Sequence, residues 1–205
     1  CRGILPRGGT IIGTSRVQPF ATPDGVDRVR TTMDRHGIGA LICIAKSANN
    51  TSFAGAYAAF TCAVLVWGWH ELAFLTGWLT GPRKDACSAP LHGPTRFNEA
   101  VQTILWHELA IIGMGIAIAA LTWGGANQVA TWTFALLWVM RLSAKLNLFL
   151  GVRNWSEELL PADLRYLQTY FVRRPLNLLF PVAVSAATAV VALVWQQAFG
   201  TAGTE

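Results

Sequence analysis

The sequence predicts an all-α membrane protein with four transmembrane helices, a short interfacial helix and a small α/β-like fragment at the N-terminus. Hydrophobic residues make up 53% of the 205 residues and charged residues only 13%, which is rare in soluble globular domains. Four apolar stretches reach the ~20 residues that a helix needs to cross ~30 Å of hydrocarbon. The nine Trp residues are typical of a membrane protein, because indole rings favour the lipid–water boundary.

Residues 1–46 are predicted to form the α/β-like fragment. They contain seven Lys or Arg residues, no Trp and no apolar run of membrane-spanning length. The pattern predicts a helix over about residues 25–36, with Asp24 as its N-cap and Gly37 as its stop. The continuous apolar run Ala40–Ile44 is typical of a buried parallel strand. Since one strand cannot form a core, the fragment is not expected to fold on its own.

Residues 47–205 are predicted to form the transmembrane domain. The four spans are expected at about residues 53–79, 101–123, 129–150 and 176–199. A short turn at residues 124–128 joins the second span to the third, so these two spans form an antiparallel hairpin.

The basic residues lie in two of the loops and predict the orientation. The loop before the second span contains Arg83, Lys84 and Arg96, and the loop after the third contains Arg153, Arg165, Arg173 and Arg174. The positive-inside rule places both loops in the cytoplasm. The net charge of +5 is therefore interpreted as an orientation signal and a contact with anionic membrane lipid. No nucleic-acid partner is expected.

The loop between the third and fourth spans carries an apolar stripe at helical spacing. The stripe consists of Leu160, Leu164, Leu167 and Phe171. It predicts a short interfacial helix that starts near Pro161 and lies on the cytoplasmic surface. Two interpretations of this helix remain open, a tether between spans and a docking surface for a partner protein.

The pentapeptide Trp-His-Glu-Leu-Ala occurs twice, at Trp69–Ala73 in the first span and Trp106–Ala110 in the second. Ionisable groups in hydrocarbon need a partner and are candidate functional residues. The third span offers two basic residues that share one helix face. At the helical rise, all these groups reach a similar depth on the cytoplasmic side. The predicted layer contains His70, Glu71, His107, Glu108, Arg141 and Lys145.

Three interpretations of this layer remain open. In the first, Glu71, Glu108, Arg141 and Lys145 form interhelical ion pairs that fix the packing of the helices. In the second, the neutral imidazoles of the two histidines ligate the central metal of haem or bacteriochlorophyll. In the third, the layer is part of a proton or ion path. The four cysteines show no metal-ligand spacing, so no metal-ion site is predicted.

The front of the chain resembles an internal piece of phosphofructokinase over about residues 1–44. The strings that carry the resemblance are Arg7-Gly-Gly-Thr-Ile-Ile-Gly-Thr-Ser-Arg16 and Gly37-Ile-Gly-Ala-Leu-Ile-Cys-Ile44. The resemblance implies that Arg16 matches a phosphate contact. The turn that supplies the magnesium-site acid in that family is replaced here by Ala45-Lys46-Ser47. We therefore expect no kinase activity and interpret this segment as a foreign fusion.

The membrane part resembles the photosynthetic complex assembly protein 2 family of phototrophic bacteria over about residues 54–198. The strings that carry this resemblance include Phe60-Thr-Cys-Ala-Val-Leu-Val-Trp-Gly-Trp-His-Glu71, Leu121-Thr-Trp-Gly-Gly-Ala-Asn-Gln-Val-Ala-Thr-Trp-Thr-Phe134 and Leu137-Trp-Val-Met-Arg-Leu-Ser-Ala-Lys-Leu-Asn147. The resemblance implies a multi-pass protein of the bacterial inner (intracytoplasmic) membrane. Such a protein would help to assemble the reaction-centre and light-harvesting complex or balance its pigment supply, with subunits of that complex as partners.

The expected function is accordingly that of a non-enzymatic assembly factor, without catalytic residues. The alternative is a membrane protein that binds bacteriochlorophyll or haem through His70 and His107.

Overall fold

The computed structural model describes residues 25–88, 93–153 and 160–200, and its regular secondary structure is helical. The helices are α1 (Gly25–Ser47), α2 (Phe53–Leu75), α3 (Pro94–Leu121), α4 (Val129–Leu150), a 3₁₀ helix (Ala162–Tyr170) and α5 (Leu179–Gly200). Helices α2, α3, α4 and α5 are each long and apolar enough to cross a membrane. The predicted set of four span-length helices is thereby confirmed.

The bounds of the spans differ most from the prediction at the end of the first span and the start of the second. Helix α2 ends at Leu75, before Gly77, which has a positive φ of 71° that favours glycine. Helix α3 begins at Pro94, ahead of the predicted start at residue 101, because a proline in the first turn is compatible with a helix. The start of α3 is polar, so apolar content alone did not reveal it.

The predicted strand at Ala40–Ile44 is wrong, because these residues lie within α1. A short apolar run does not by itself distinguish a strand from a buried helical segment. In α1, Ala40 and Ile44 are four residues apart and both buried, and they belong to one core cluster with Ala59 and Ala63 of α2. A helix also satisfies its own backbone hydrogen bonds, which a single strand would leave unpaired. The phosphofructokinase-like string that ends at Arg16 lies outside the described residues.

Helix α2 lies at the centre of the bundle, in contact with α1, α3 and α4. Its buried residues recur at helical spacing and are mostly small. They are Gly55, Ala59, Ala63, Val66, His70, Ala73 and Phe74. Small side chains allow helix backbones to approach closely, which is the usual basis of helix packing in membranes.

The turn between α3 and α4 packs on the turn between α1 and α2. The backbone N–H of Asn127 donates to the carbonyl of Ala48 at 2.8 Å. Its side-chain amide donates to the carbonyls of Ser47 and Asn50 at 3.1 and 2.9 Å. Asn127 is buried, and a Cβ added to Gly125 would lie 2.5 Å from the Ala48 carbonyl oxygen. This contact fixes the two helical hairpins relative to each other.

We expect Asn127→Ala to lower the free energy of unfolding by ~2 kcal/mol, because it leaves the buried Ser47 carbonyl and the partly buried Asn50 carbonyl without their donor. Thermal unfolding of the purified protein in detergent, followed by circular dichroism, measures the effect. The control is Asn49→Ala, since Asn49 is exposed in the turn between α1 and α2 that Asn127 contacts. Equal melting temperatures for the two variants would contradict the assigned role of Asn127.

The predicted interfacial helix is present as the 3₁₀ helix, with Pro161 as its N-cap. Its apolar stripe does not face outward, however. Leu164 and Leu167 are buried against Phe74 at the end of α2, and Leu160 and Phe171 pack on the same cluster. The stripe is therefore part of the fold, which supports the tether interpretation over a docking surface.

Candidate functional site

An ion pair between Glu71 of α2 and Arg141 of α4 forms one half of the charged layer. The Nε of Arg141 donates to Glu71 Oε1 at 3.0 Å, and a terminal guanidinium nitrogen lies 3.0 Å from Glu71 Oε2. Two parallel contacts of this kind make the strongest form of the arginine–carboxylate pair. Both side chains keep part of their surface exposed, 29% for Arg141 and 21% for Glu71.

A second ion pair joins Glu108 of α3 to Lys145 of α4. Lys145 Nζ lies 2.5 Å from Glu108 Oε1, and Trp138 Nε1 donates to the other oxygen of Glu108 at 3.4 Å. The ammonium also lies 5.4 Å from the ring centroid of Phe74, a distance at which a cation is attracted to an aromatic face. Two neighbours therefore stabilise the positive charge of Lys145, the Glu108 carboxylate and the Phe74 ring.

Helix α4 thus supplies a cation for the glutamate in each copy of the repeated pentapeptide. Arg141 and Lys145 lie one turn apart on the same side of α4, and the two glutamates come from equivalent positions in the two copies. The four side chains form two neutral pairs that connect α2, α3 and α4. Removing a single partner from such a set is costly, because a charge is then left alone in a low-dielectric interior.

His70 and His107 lie in the same region, but outside the ion pairs. Both side chains are buried, with 1% and 0% of their surface exposed. Within the described part of the chain, none of their four ring nitrogens has a hydrogen-bond partner. The His70 ring contacts Trp69 and Phe134 at centroid distances of 4.7 and 6.2 Å, and the His107 ring contacts Phe74 at 4.8 Å. Both imidazoles are held in aromatic surroundings.

The packing around the two histidines does not fit haem or bacteriochlorophyll. An imidazole that ligates a tetrapyrrole metal needs one ring nitrogen open to a wide, flat macrocycle. Here all four ring nitrogens are sealed from the surface, and aromatic side chains lie against both rings. Residues 25–88, 93–153 and 160–200 also contain no group of three or more His, Cys, Asp or Glu side chains that could hold a metal ion.

The loop that follows α2 packs against the backbone of α3 near His107. The N–H of His107 donates to the carbonyl of Thr80 at 2.9 Å, and the N–H of Arg83 donates to the carbonyl of Gln102 at 3.4 Å. Between these two bonds, a Cβ added to Gly81 would lie 1.9 Å from the Gln102 carbonyl oxygen. The loop can lie this close to α3 only because residue 81 is glycine.

Arg96 connects three elements at the basic end of the bundle. It is 5% exposed and donates to the carbonyl oxygens of Phe149 and Tyr170, while its guanidinium lies 4.0 Å from the Phe149 ring centroid. Its position in the sequence predicts an orientation signal in a loop, whereas the structure places Arg96 within α3. The signal that could have revealed its role is Pro94, which marks the first turn of α3.

Arg83, in the loop between α2 and α3, contacts the 3₁₀ helix. Its Nε donates to the Tyr170 hydroxyl at 2.8 Å, and its guanidinium lies 3.4 Å from Glu99. The hydrogen bond with Tyr170 raises the pKa of Arg83. Burial raises the pKa of Tyr170, so the phenol stays neutral at physiological pH and its hydroxyl donates to the Asp85 carbonyl at 3.1 Å.

Among curated proteins, the chain is similar to the "uncharacterized 30.4 kDa protein in puhA 5′ region" of Rhodobacter capsulatus. The two are 46% identical over 151 residues, which is 74% of this chain and 55% of the relative. The chain therefore spans about half the length of this relative. No solved structure matches the chain.

Two enzymes of Streptomyces coelicolor match over much shorter segments. The chain is 49% identical to a pyrophosphate–fructose 6-phosphate 1-phosphotransferase over 43 residues, which is 21% of this chain and 13% of the enzyme. It is 52% identical to an ATP-dependent 6-phosphofructokinase over 42 residues, which is 20% of this chain and 12% of the enzyme. These matches are fragments of the two enzymes.

The family described as "protein of unknown function (DUF3623)" matches residues 25–205. The match begins at the first residue of α1 and includes every described helix, together with both copies of the repeated pentapeptide and the basic residues of α4. The chain therefore belongs to the DUF3623 family.

Proposed function

We propose that this protein is a non-catalytic integral membrane factor for the assembly of the bacterial photosynthetic reaction-centre and light-harvesting complex. The observation that carries the proposal is the 46% identity to a protein whose name places it in the puhA 5′ region, part of a photosynthesis gene cluster. The resemblance to the photosynthetic complex assembly protein 2 family supports the same role. The inner (intracytoplasmic) membrane is the proposed location, since four helices are of spanning length.

The charged layer supports a structural role more than a catalytic one. Its two carboxylates are paired with its two basic groups, so no free acid or base in this set is available for proton transfer to a substrate. The histidines are sealed from the surface and cannot reach a substrate in this arrangement. A rigid helical scaffold is the role that these contacts favour.

The surface of the bundle supports association within the membrane. In the apolar window of α5, the described part of the chain buries none of the residues, and large side chains such as Val191, Leu193 and Trp195 are mostly exposed. Asn177 anchors the start of α5, because its side-chain amide donates to the Gly151 carbonyl at 2.7 Å. Helix α5 thus presents an apolar surface to lipid and to helices of the proposed photosynthetic partners.

Affinity capture tests the proposal. The tagged full-length protein is expressed in a phototrophic bacterium, the membranes are solubilised in mild detergent, and captured proteins are identified by mass spectrometry. We expect reaction-centre or light-harvesting subunits at least tenfold above the amount recovered with a tagged four-span protein of unrelated sequence and equal abundance. Recovery of intact bait with those subunits at the control level would refute the assembly role.

We further propose that the phosphofructokinase-like residues ahead of residue 25, where the DUF3623 match begins, are a fusion without kinase activity. The support is the size of the matches, because 12–13% of the length of these enzymes cannot contain a complete phosphoryl-transfer site. Sequencing the genomic DNA across codons 1–52 tests the origin of the segment. A different upstream sequence joined to residues 25–205 in independent isolates would support the fusion, and the same upstream sequence in all of them would contradict it.

A further inference from the structure

A cavity of about 310 Å³ lies beyond the end of α2. Its walls come from three elements: the turn that follows α2, the loop that leads to α3, and the 3₁₀ helix. The polar groups that line it belong to Thr76, Thr80, Lys84, Asp163 and Tyr166. This cavity is separate from the charged layer, whose residues do not line it.

Two opposite charges line the cavity without neutralising each other. Among the described residues, no ion pair within 4.0 Å joins Lys84 to Asp163, and both side chains are exposed. Asp163 is held close to the end of α2, since its Cβ lies 3.7 Å from the position that a Cβ on Gly77 would take. The carboxylate and the negative end of the α2 dipole both favour a cation on this side of the cavity. The Lys84 ammonium favours an anion.

The cavity lies at the level where the apolar span ends. Helix α2 ends at Leu75, and the first lining residue is Thr76, so the cavity is at the depth of lipid headgroups. The last turns of α2 and the residues after it expose large apolar side chains, with 42% of Leu72, 37% of Leu75 and 48% of Trp78 accessible. An indole at this level is typical of the membrane boundary.

We propose that this cavity binds the headgroup of a membrane lipid that carries both a phosphate and a primary ammonium, as in phosphatidylethanolamine. Lys84 binds the phosphate and Asp163 binds the ammonium, both through charge-assisted hydrogen bonds. The acyl chains lie along Leu72, Leu75 and Trp78. Lipid binding at this cavity is independent of the proposed assembly role.

Native mass spectrometry of the full-length protein tests the site. The protein is purified in detergent with equimolar phosphatidylethanolamine, phosphatidylglycerol and phosphatidylcholine of identical acyl chains, and the lipids that remain bound are counted. Phosphatidylglycerol has no ammonium, and the quaternary ammonium of phosphatidylcholine has no N–H donor. We expect at least fivefold more phosphatidylethanolamine than either of the other lipids.

Two variants assign the contacts. Lys84→Gln should reduce the retention of phosphatidylethanolamine and of phosphatidylglycerol, whereas Asp163→Asn should reduce that of phosphatidylethanolamine alone. The matched controls are Asp85→Asn and Arg165→Gln, which remove exposed charges from the same loop and the same 3₁₀ helix outside the cavity. Equal retention of the three lipids, or a preference that survives both cavity variants, would overturn the proposal.

A soluble competitor separates a lipid site from a site for a small phosphate ester. Glycerophosphoethanolamine has the same headgroup without acyl chains, so we expect it to displace the lipid at least tenfold less effectively than phosphatidylethanolamine itself. Displacement at equal concentrations would overturn the assignment to a lipid. We expect both cavity variants to keep the melting temperature of the unaltered protein, which would show that a loss of lipid is not a loss of fold.

Discussion

Replacing Glu108 by Gln is expected to lower the free energy of unfolding by ~3–5 kcal/mol, because the Lys145 ammonium then has no carboxylate to pair with. Replacing the other partner, as in Lys145→Met, should lower the free energy of unfolding by a similar amount, since it leaves the Glu108 carboxylate without a cation. Both groups are shielded, with 18% and 13% of their side-chain surface exposed, so solvent screens the pair only weakly. Unfolding in mixed micelles of increasing denaturing detergent, followed by circular dichroism, measures both changes.

The double variant separates a pair interaction from the sum of two unrelated effects. Glu108→Gln combined with Lys145→Met removes both charges at once, so its destabilisation should be smaller than the sum of the two single effects by at least 2 kcal/mol. Lys46→Met serves as the control, because Lys46 is exposed at the end of α1 and should have little effect. Strict additivity of the two single variants would show that the ion pair does not stabilise the bundle.

Gly81→Ala is expected to lower the free energy of unfolding by ~3 kcal/mol, through overpacking and the loss of backbone hydrogen bonds. The new Cβ would lie 1.9 Å from the Gln102 oxygen and 2.6 Å from the Thr103 carbonyl carbon. These atoms belong to the backbone of α3, so no side-chain rotation can relieve the contact. The loop must move away and break the bond from the His107 N–H to the Thr80 carbonyl.

The matched control for this variant is Gly113→Ala in α3, the helix that the loop contacts. A Cβ on Gly113 meets no heavy atom of the described residues within 4 Å, and alanine is a better helix former than glycine by up to about 1 kcal/mol. Gly113→Ala should therefore leave the melting temperature unchanged or raise it. If the two variants melted at the same temperature, the close approach of the loop to α3 would not be important for stability.

The spans and the composition of the charged layer were accessible from the sequence because both depend on periodicity and length. An apolar stretch of sufficient length has few alternatives to a helix in hydrocarbon. Arg141 and Lys145 lie one helical turn apart, so a shared face for them follows from helix geometry. Which glutamate each cation meets does not follow from spacing, because it depends on the positions of three helices around one another. The pairing of Arg141 with Glu71 and of Lys145 with Glu108 needed the structure.

Other features depend on contacts between distant segments and left no local pattern. The apolar run Ala40–Ile44 is compatible with either a strand or a helix. Its packing against α2 favours the helix. The interior position of Arg96 depends on carbonyl groups of Phe149 and Tyr170, which are far away in the sequence. Gly81 looks like an ordinary turn glycine until α3 is placed next to it.

The connection between Glu71 and Arg141 has a consequence for how the chain enters the bilayer during synthesis. The ribosome completes Glu71 70 residues before Arg141, so the carboxyl group of α2 reaches the membrane while its cation has not yet been translated. A lone carboxylate is costly in hydrocarbon, and the nascent helix must carry that group protonated or hold it near water until the next hairpin inserts. Insertion of α4 by the translocon therefore also completes the insertion of α2, because α4 carries the cation that pairs with Glu71.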